Sequence, residues 1–365
     1  MSLEPLAIPM THLAGQAHGP IRFPWRGVIR HGVLFGLAFW LTAAAINQLA
    51  RHALLVPEMG LYSRKLWLIK QEPAVDIVFL GTSRFNSAIH PEQFDARMAE
   101  LGCPVRSFNM GIDDLNPVEA RVVLRQIRQQ WPDRPIRVVL GQMVSRYKWY
   151  RRVWDRVRYF NTWSHLPEFV EDIWLLPNFM SDRLMILLEF FGGFLYEQAS
   201  PGYLAKFLFP GSAPTTPSNP VREIRGYFPD MPEIDLKERI DFEERIRQSV
   251  AEIDRWPEEK RLRNGVAHGA RMRLLIEEAR ALGFSPGVLL TPSVLIYGMA
   301  APTQSVLARD MPEIPVWNHA DPKRHTEFFQ AEHLQDWSHL NRKGATRLAR
   351  ILAEDICPVT RQGGF

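Results

Sequence analysis

The sequence predicts an α/β protein built on a parallel β-sheet, with a mostly helical insertion and one apolar helix near its amino terminus. Three observations carry this expectation. Short apolar runs that stop at a glycine recur three times, at Val75–Leu80 before Gly81, Val105–Met110 before Gly111 and Ile136–Leu140 before Gly141. The first two are each followed by apolar residues at helical spacing, and such strand–glycine–helix units of similar length argue for parallel strands with helices on the sheet faces. The third observation is an uncharged stretch of 19 residues, Gly32–Ala50, about the length of a membrane-spanning helix.

The composition limits the function classes. The chain has 365 residues, 46% of them apolar, which is enough for a substantial core. A formal charge of +4 over this length does not point to a nucleic-acid binder. Cys103 and Cys357 have no metal-ligand spacing and form no CxxC motif. Two readings stay open for them, a disulfide in an oxidising compartment or two unpaired core thiols.

Residues 1–31 read as a cytoplasmic segment and 32–50 as an uncleaved signal anchor. Arg22, Arg26 and Arg30 precede the apolar run and Arg51 closes it. The segment before the run is long for a signal peptide, although Ala43, Ala44 and Ala45 resemble a cleavage site. The three arginines favour a cytoplasmic amino terminus, against Arg51, Arg64 and Lys65 after the span. Residues 53–365 then face the periplasm or the exterior from a plasma membrane. Leu184–Tyr196 is too short for a second span and contains Glu189.

Residues 51–73 read as a connector. After the strand at 75–80 a turn follows Ser83, and Pro91 opens a helix with Phe94, Met98 and Leu101 on one face and Gly102 at its end. Asn116, Pro117 and Glu119 have the spacing of a capped helix start. The insertion runs from about 143 to 260. It begins with Ser145–Tyr159, where Arg146, Lys148, Arg151, Arg152, Arg156 and Arg158 alternate with aromatic residues. This is either a cationic, aromatic surface for an anionic glycan or lipid headgroup or a solvated amphipathic helix. Short helices are expected over 162–208, a proline-rich loop over 209–232, and then two charged helices, the second ended by Gly283. A fourth strand is expected at Val288–Leu290 and a fifth at Pro315–Trp317. A last helix, capped by Asn341, carries Leu348, Ile351, Leu352 and Ile356 on one face.

Ser83 stands just past the carboxyl end of the first strand, where ligand chemistry gathers in α/β sheets. A serine hydroxyl needs a base, and that base needs a partner that fixes its tautomer. Asp336 and His339, three residues apart before the last helix, supply both from one loop. His333 is a rival base, and Arg84 is either a substrate contact or a salt-bridge partner of Asp113 or Asp114. Loop residues His319, Asp321, His325 and His333 do not make a metal set by spacing alone, and no metal site is assigned.

Gly81-Thr82-Ser83, Gly111 and Asp336-Trp337-Ser338-His339 together resemble the SGNH (GDSL-type) hydrolase superfamily over roughly residues 74–142 and 284–357. The resemblance implies a three-layer α/β/α sandwich of flavodoxin-like type, with Ser83 as nucleophile, His339 as base and Asp336 as the acid that orients it. It also implies an oxyanion hole from the backbone N–H groups of Ser83 and Gly111. The family's Gly-x-Asn-Asp block is replaced by Gly141-Gln142-Met143-Val144, so Gln142 or Ser145 stands where an asparagine donor is usual. The GTSR block, the anchor and the HLN-x-x-G sequence are similar to the branch that includes alginate O-acetylation and teichoic-acid D-alanine transfer proteins. That branch implies acyl transfer or removal, foremost of acetyl groups, on a cell-surface glycan, with a membrane-bound acyltransferase as partner and no cofactor. Arg84, Arg146, Arg151 and Arg152 are then the substrate-binding candidates. The alternative is a non-catalytic binding or assembly subunit of a polysaccharide complex.

Overall fold

A computed structural model describes residues 25–53, 61–143, 160, 162–199, 225–227 and 236–363. It contains one five-stranded sheet, β1 (Ile77–Gly81), β2 (Ser107–Gly111), β3 (Arg137–Gly141), β4 (Ser285–Leu290) and β5 (Val316–Asn318). The strand order is β2-β1-β3-β4-β5 and every pairing is parallel. All five expected strands are present. The first three reach one residue further than the apolar runs, into the glycines themselves, and Gly81 pairs with Gly111.

Alternate residues of β1 feed two cores, as the pleat requires. Ile77 and Phe79 join Phe94 and Met98 of α4 (Pro91–Glu100) and Leu348, Leu352 and Ile356 of the last helix, α11 (Arg342–Arg361). Val78 and Leu80 join Val123, Leu124 and Ile127 of α5 (Pro117–Gln130) and Met272, Leu275 and Ile276 of α9 (Glu258–Ala281). The sheet is thus covered on both faces, which is why its strands read as unbroken apolar runs. The α5 start is a complete capping box, Asn116 accepting from Glu119 N and the Glu119 side chain accepting from Asn116 N. Gly102 and Gly283 end their helices at positive φ.

Four elements differ from the sequence expectation. The connector contains a helix, α2 (Leu61–Gln71), which buries Tyr62, Lys65 and Ile69. The turn after Ser83 is a short helix, α3 (Ser83–Ala88). The region after 162 holds α6 (Leu166–Trp174) and then one long helix, α7 (Met180–Ala199). Phe169, Ile173, Phe190 and Phe194 of these two belong to the same core as Val78 and Leu80. Residues 294–310, unassigned from sequence, form α10. The two charged helices are α8 (Leu236–Asp254) and α9. Cys103 and Cys357 form a disulfide across 254 residues, joining the ends of α4 and α11 with Cα atoms 5.8 Å apart.

The amino-terminal helix, α1 (Trp25–Ala53), is long and apolar enough to cross a membrane over Gly27–Ile46, and none of that stretch is buried. Among the described residues no other helix meets that test.

Candidate active site

The helix α3 lies across the carboxyl ends of the central strands, and the three strand-ending glycines make room for it. A Cβ on Gly81 would fall 2.5 Å from the Phe85 ring, one on Gly141 2.3 Å from it, and one on Gly111 2.2 Å from the Asn86 nitrogen. The glycines that mark the strand ends in the sequence are therefore seats for the helix that begins with Ser83. Its position is fixed from below by Asn109 of β2, which is fully buried. The Asn109 amide donates to Phe85 O (2.8 Å) and Ile89 O (2.7 Å). Lys65 of α2, also fully buried, donates from Nζ to Asn86 Oδ1 (2.8 Å).

The loop before α11 is pinned at several points. Asp336 Oδ1 accepts from Ser338 N (2.8 Å) and His339 N (2.9 Å), a turn typical of aspartate. Gln335 N donates to His339 O and Asn341 N to His333 O. Asn341 caps α11 by accepting from Gly344 N (3.0 Å), while its amide donates to Glu332 O. A Cβ on Gly344 would lie 2.2 Å from His333 O, so the glycine three residues after Asn341 is a close approach between helix start and loop.

These two supports bring the three residues singled out in the sequence together. His339 Nε2 is 2.8 Å from Ser83 Oγ, and His339 Nδ1 is 2.7 Å from Asp336 Oδ2 and 2.9 Å from Oδ1. With Nδ1–H donated to the carboxylate, Nε2 is left to accept the serine proton. Burial acts to raise the Asp336 carboxyl, but hydrogen bonds from the His339 ring and the two loop N–H groups outweigh it and hold the group below the usual carboxylate range. The carboxylate is therefore charged and aligned with the imidazole. Chemically, the arrangement can take a proton from Ser83 and return it to a leaving group. The rival base His333 is directed elsewhere, with Nδ1 2.6 Å from Glu327 O.

The expected oxyanion donors fare differently. Ser83 is the first residue of α3, so its N–H is among those that a helix leaves without an intrahelical acceptor. The Gly111 N–H donates to Asn109 Oδ1 at 2.8 Å, the same side chain that holds α3. Gln142 is buried, and its Nε2 lies 2.8 Å from Met299 Sδ of α10. Arg84 is half-buried, and its guanidinium is close enough to His268 of α9 to disfavour a charge there. Arg146, Arg151 and Arg152 lie outside the described residues, as does Ser145.

Three features were missed in the sequence. Ser338 Oγ lies 3.1 Å from His339 Nδ1 and 3.3 Å from Asp336 Oδ1; its signal was its place two residues after an aspartate. Asn109 reads in the sequence only as one polar residue in an apolar run. A cleft of about 640 Å³ beside the His339 loop is lined by His333 and by Arg342, Lys343, Arg347 and Arg350 of α11. The run of basic residues on one helix was its signal.

A scan against protein-family models finds no match to this chain, and a search of curated proteins returns none.

Proposed function

We propose that the chain is a membrane-anchored, serine-dependent acyltransferase or esterase of SGNH type, acting on O-acyl groups of a cell-surface glycan. The observation that carries this reading is the Ser83–His339–Asp336 chain of hydrogen bonds at the carboxyl ends of parallel strands. Ser83 Oγ attacks the acyl carbonyl as His339 takes its proton. The His339 proton then passes to the leaving oxygen, and the acyl group remains on Ser83. A sugar hydroxyl or water next gives its proton to His339 and attacks the acyl-enzyme, and Ser83 recovers its proton. The strand order β2-β1-β3-β4-β5, with helices on both faces, supports the three-layer, flavodoxin-like sandwich that this family reading requires.

The basic cleft along α11, lined also by His333 and by one acid, Glu354, supports an anionic polymer as substrate. The exposed apolar helix α1 supports a single-pass anchor in the plasma membrane. The disulfide in the domain that follows it supports an exterior or periplasmic placement, because disulfides persist in oxidising compartments. There an acyl donor delivered by a membrane-bound acyltransferase is within reach of the tethered site.

A second reading, a binding or assembly subunit with little turnover, is favoured by the engagement of two expected oxyanion donors. The Gly111 N–H is engaged by Asn109 and the Gln142 amide is turned to Met299, and losing one oxyanion donor typically costs ~10²–10³ in rate. Turnover of an activated acetyl ester by the detergent-solubilised chain, with and without an anionic glycan acceptor, separates the two. Acetylation of the acceptor that stops in Ser83→Ala supports the enzyme; glycan binding without turnover, equal in both proteins, supports the subunit.

A further inference from the structure

The helix α7 is apolar on two sides. One side enters the core through Phe190 and Phe194, which meet each other and contact Phe169 and Trp163 respectively. On the other side Leu184, Leu188, Phe191 and Leu195, at i, i+4, i+7 and i+11, face outward, with Leu188 67% exposed. Such a surface on a helix signals either a partner or a lipid phase.

The position of α7 selects the lipid. It packs directly on α1, where Trp40 Nε1 donates to Leu195 O at 2.9 Å. Trp40 lies within the apolar stretch Gly27–Ile46, six residues from its end, which along a helix is about 9 Å. If α1 crosses the bilayer, the backbone at Leu195 is inside the hydrocarbon, and the exposed stripe of α7 continues the unburied surface of α1. Asp182, Arg183, Glu189 and Glu197 exclude α7 as a second span, and Glu189 turns Oε2 into the protein. Just before the first turn, Phe179 is 68% exposed with the Arg263 guanidinium 5.2 Å over its ring, a pairing suited to the headgroup region, where aromatic and cationic side chains gather.

We infer that α7 is a membrane seat. Its Leu184–Leu188–Phe191–Leu195 face is immersed in the acyl chains beside α1, with Phe179 and Arg263 at the headgroups, so that the Ser83 site is held at a fixed height rather than swung on a tether. The inference rests on the reading of α1 as the membrane anchor.

The test uses the full chain in vesicles of phosphatidylethanolamine and phosphatidylglycerol. Single cysteines are introduced as Leu188→Cys or Met185→Cys in α7, Phe35→Cys in α1 and Arg247→Cys on the exposed side of α8. Each is labelled with an environment-sensitive fluorophore while Cys103 and Cys357 remain paired. Doxyl-labelled lipids should quench the labels at 188, 185 and 35 several-fold more than the one at 247. If position 35 is unquenched, the anchor reading falls and the inference with it. If 35 is quenched while 188 and 185 match 247, the anchor stands and the membrane seat is overturned. A blue-shifted label at 188 that lipids do not quench places the face under a second copy or another protein, which overturns it as well.

Discussion

Ser83 and His339 are 256 residues apart in the chain, yet Ser83 Oγ and His339 Nε2 lie 2.8 Å from each other. Neither comes from a long element. One opens a six-residue helix seated on three glycines, and the other stands on a loop held by an aspartate turn and an asparagine cap. Short, heavily cross-bonded segments of this kind can hold a hydroxyl and an imidazole in register while leaving both partly exposed.

Asp336 carries two duties, to the imidazole and to the loop backbone. In Asp336→Asn the side chain keeps its size, but its amide favours the wrong His339 tautomer, so acyl transfer should fall by about 10⁴-fold. Substrate binding should change little. Initial rates on an activated acetyl ester, together with glycan affinity, check this. Ser338→Ala, which removes only the flanking hydroxyl, should cost far less.

Asn109 is the main support of α3. In Asn109→Leu the shape is nearly kept, but Phe85 O, Ile89 O and the Gly111 N–H lose their partner in a buried setting. Each such loss costs about 1–3 kcal/mol, and the expected destabilisation is about 3 kcal/mol or more in denaturant unfolding. The released Gly111 N–H makes the variant informative in a second way: any activity that survives should have a changed response to oxyanion-mimicking inhibitors.

The disulfide closes a loop of 254 residues between α4 and α11, packed against the core that contains Phe79 and Phe94. Reduction, or the pair Cys103→Ser with Cys357→Ser, should lower the unfolding free energy by about 2–5 kcal/mol. Thermal melts with and without reductant, and of the double variant, measure it.

Burial first, with the Arg271 and Arg84 guanidiniums adding to it, pulls the His268 imidazole down to about 3. The folded protein therefore keeps His268 neutral where the unfolded chain protonates it, near the ordinary value of 6.5. The unfolded state binds the extra proton, so this residue's contribution to stability is present above pH 6.5 and declines as pH falls from 6.5 towards 3. The slope is about 1.4 kcal/mol per pH unit for a single proton. His268→Leu should flatten the stability profile in that window, read as the difference between wild-type and variant denaturation midpoints at pH values from neutral to mildly acidic.

Much of the fold was legible because the sheet is buried on both faces and its strands end at glycines. The pair Asp336 and His339 was legible because both lie on one loop next to a capped helix. What stayed hidden has physical reasons. Helix α2 buries Tyr62, Lys65 and Ile69, and the lysine on the inner face breaks the apolar stripe that would have announced it. Asn109 looks like a flaw in an apolar strand until α3 is seen lying on it. The engagement of the Gly111 N–H depends on that same side chain, so no spacing rule could reveal it. The length of α7 was masked by Asp182, Arg183, Glu189 and Glu197, which interrupt a largely apolar run.

The most direct test of the central claim is an intact-mass measurement on the full chain after exposure to an activated acetyl ester, with Ser83→Ala and His339→Ala alongside, followed by peptide mapping. The expected result is a single acetyl adduct in the peptide containing Ser83, lost in both variants and discharged when a glycan acceptor is added. A folded wild-type chain that takes no adduct, or takes one elsewhere with Ser83 unmodified, would contradict the assignment of Ser83 as the nucleophile.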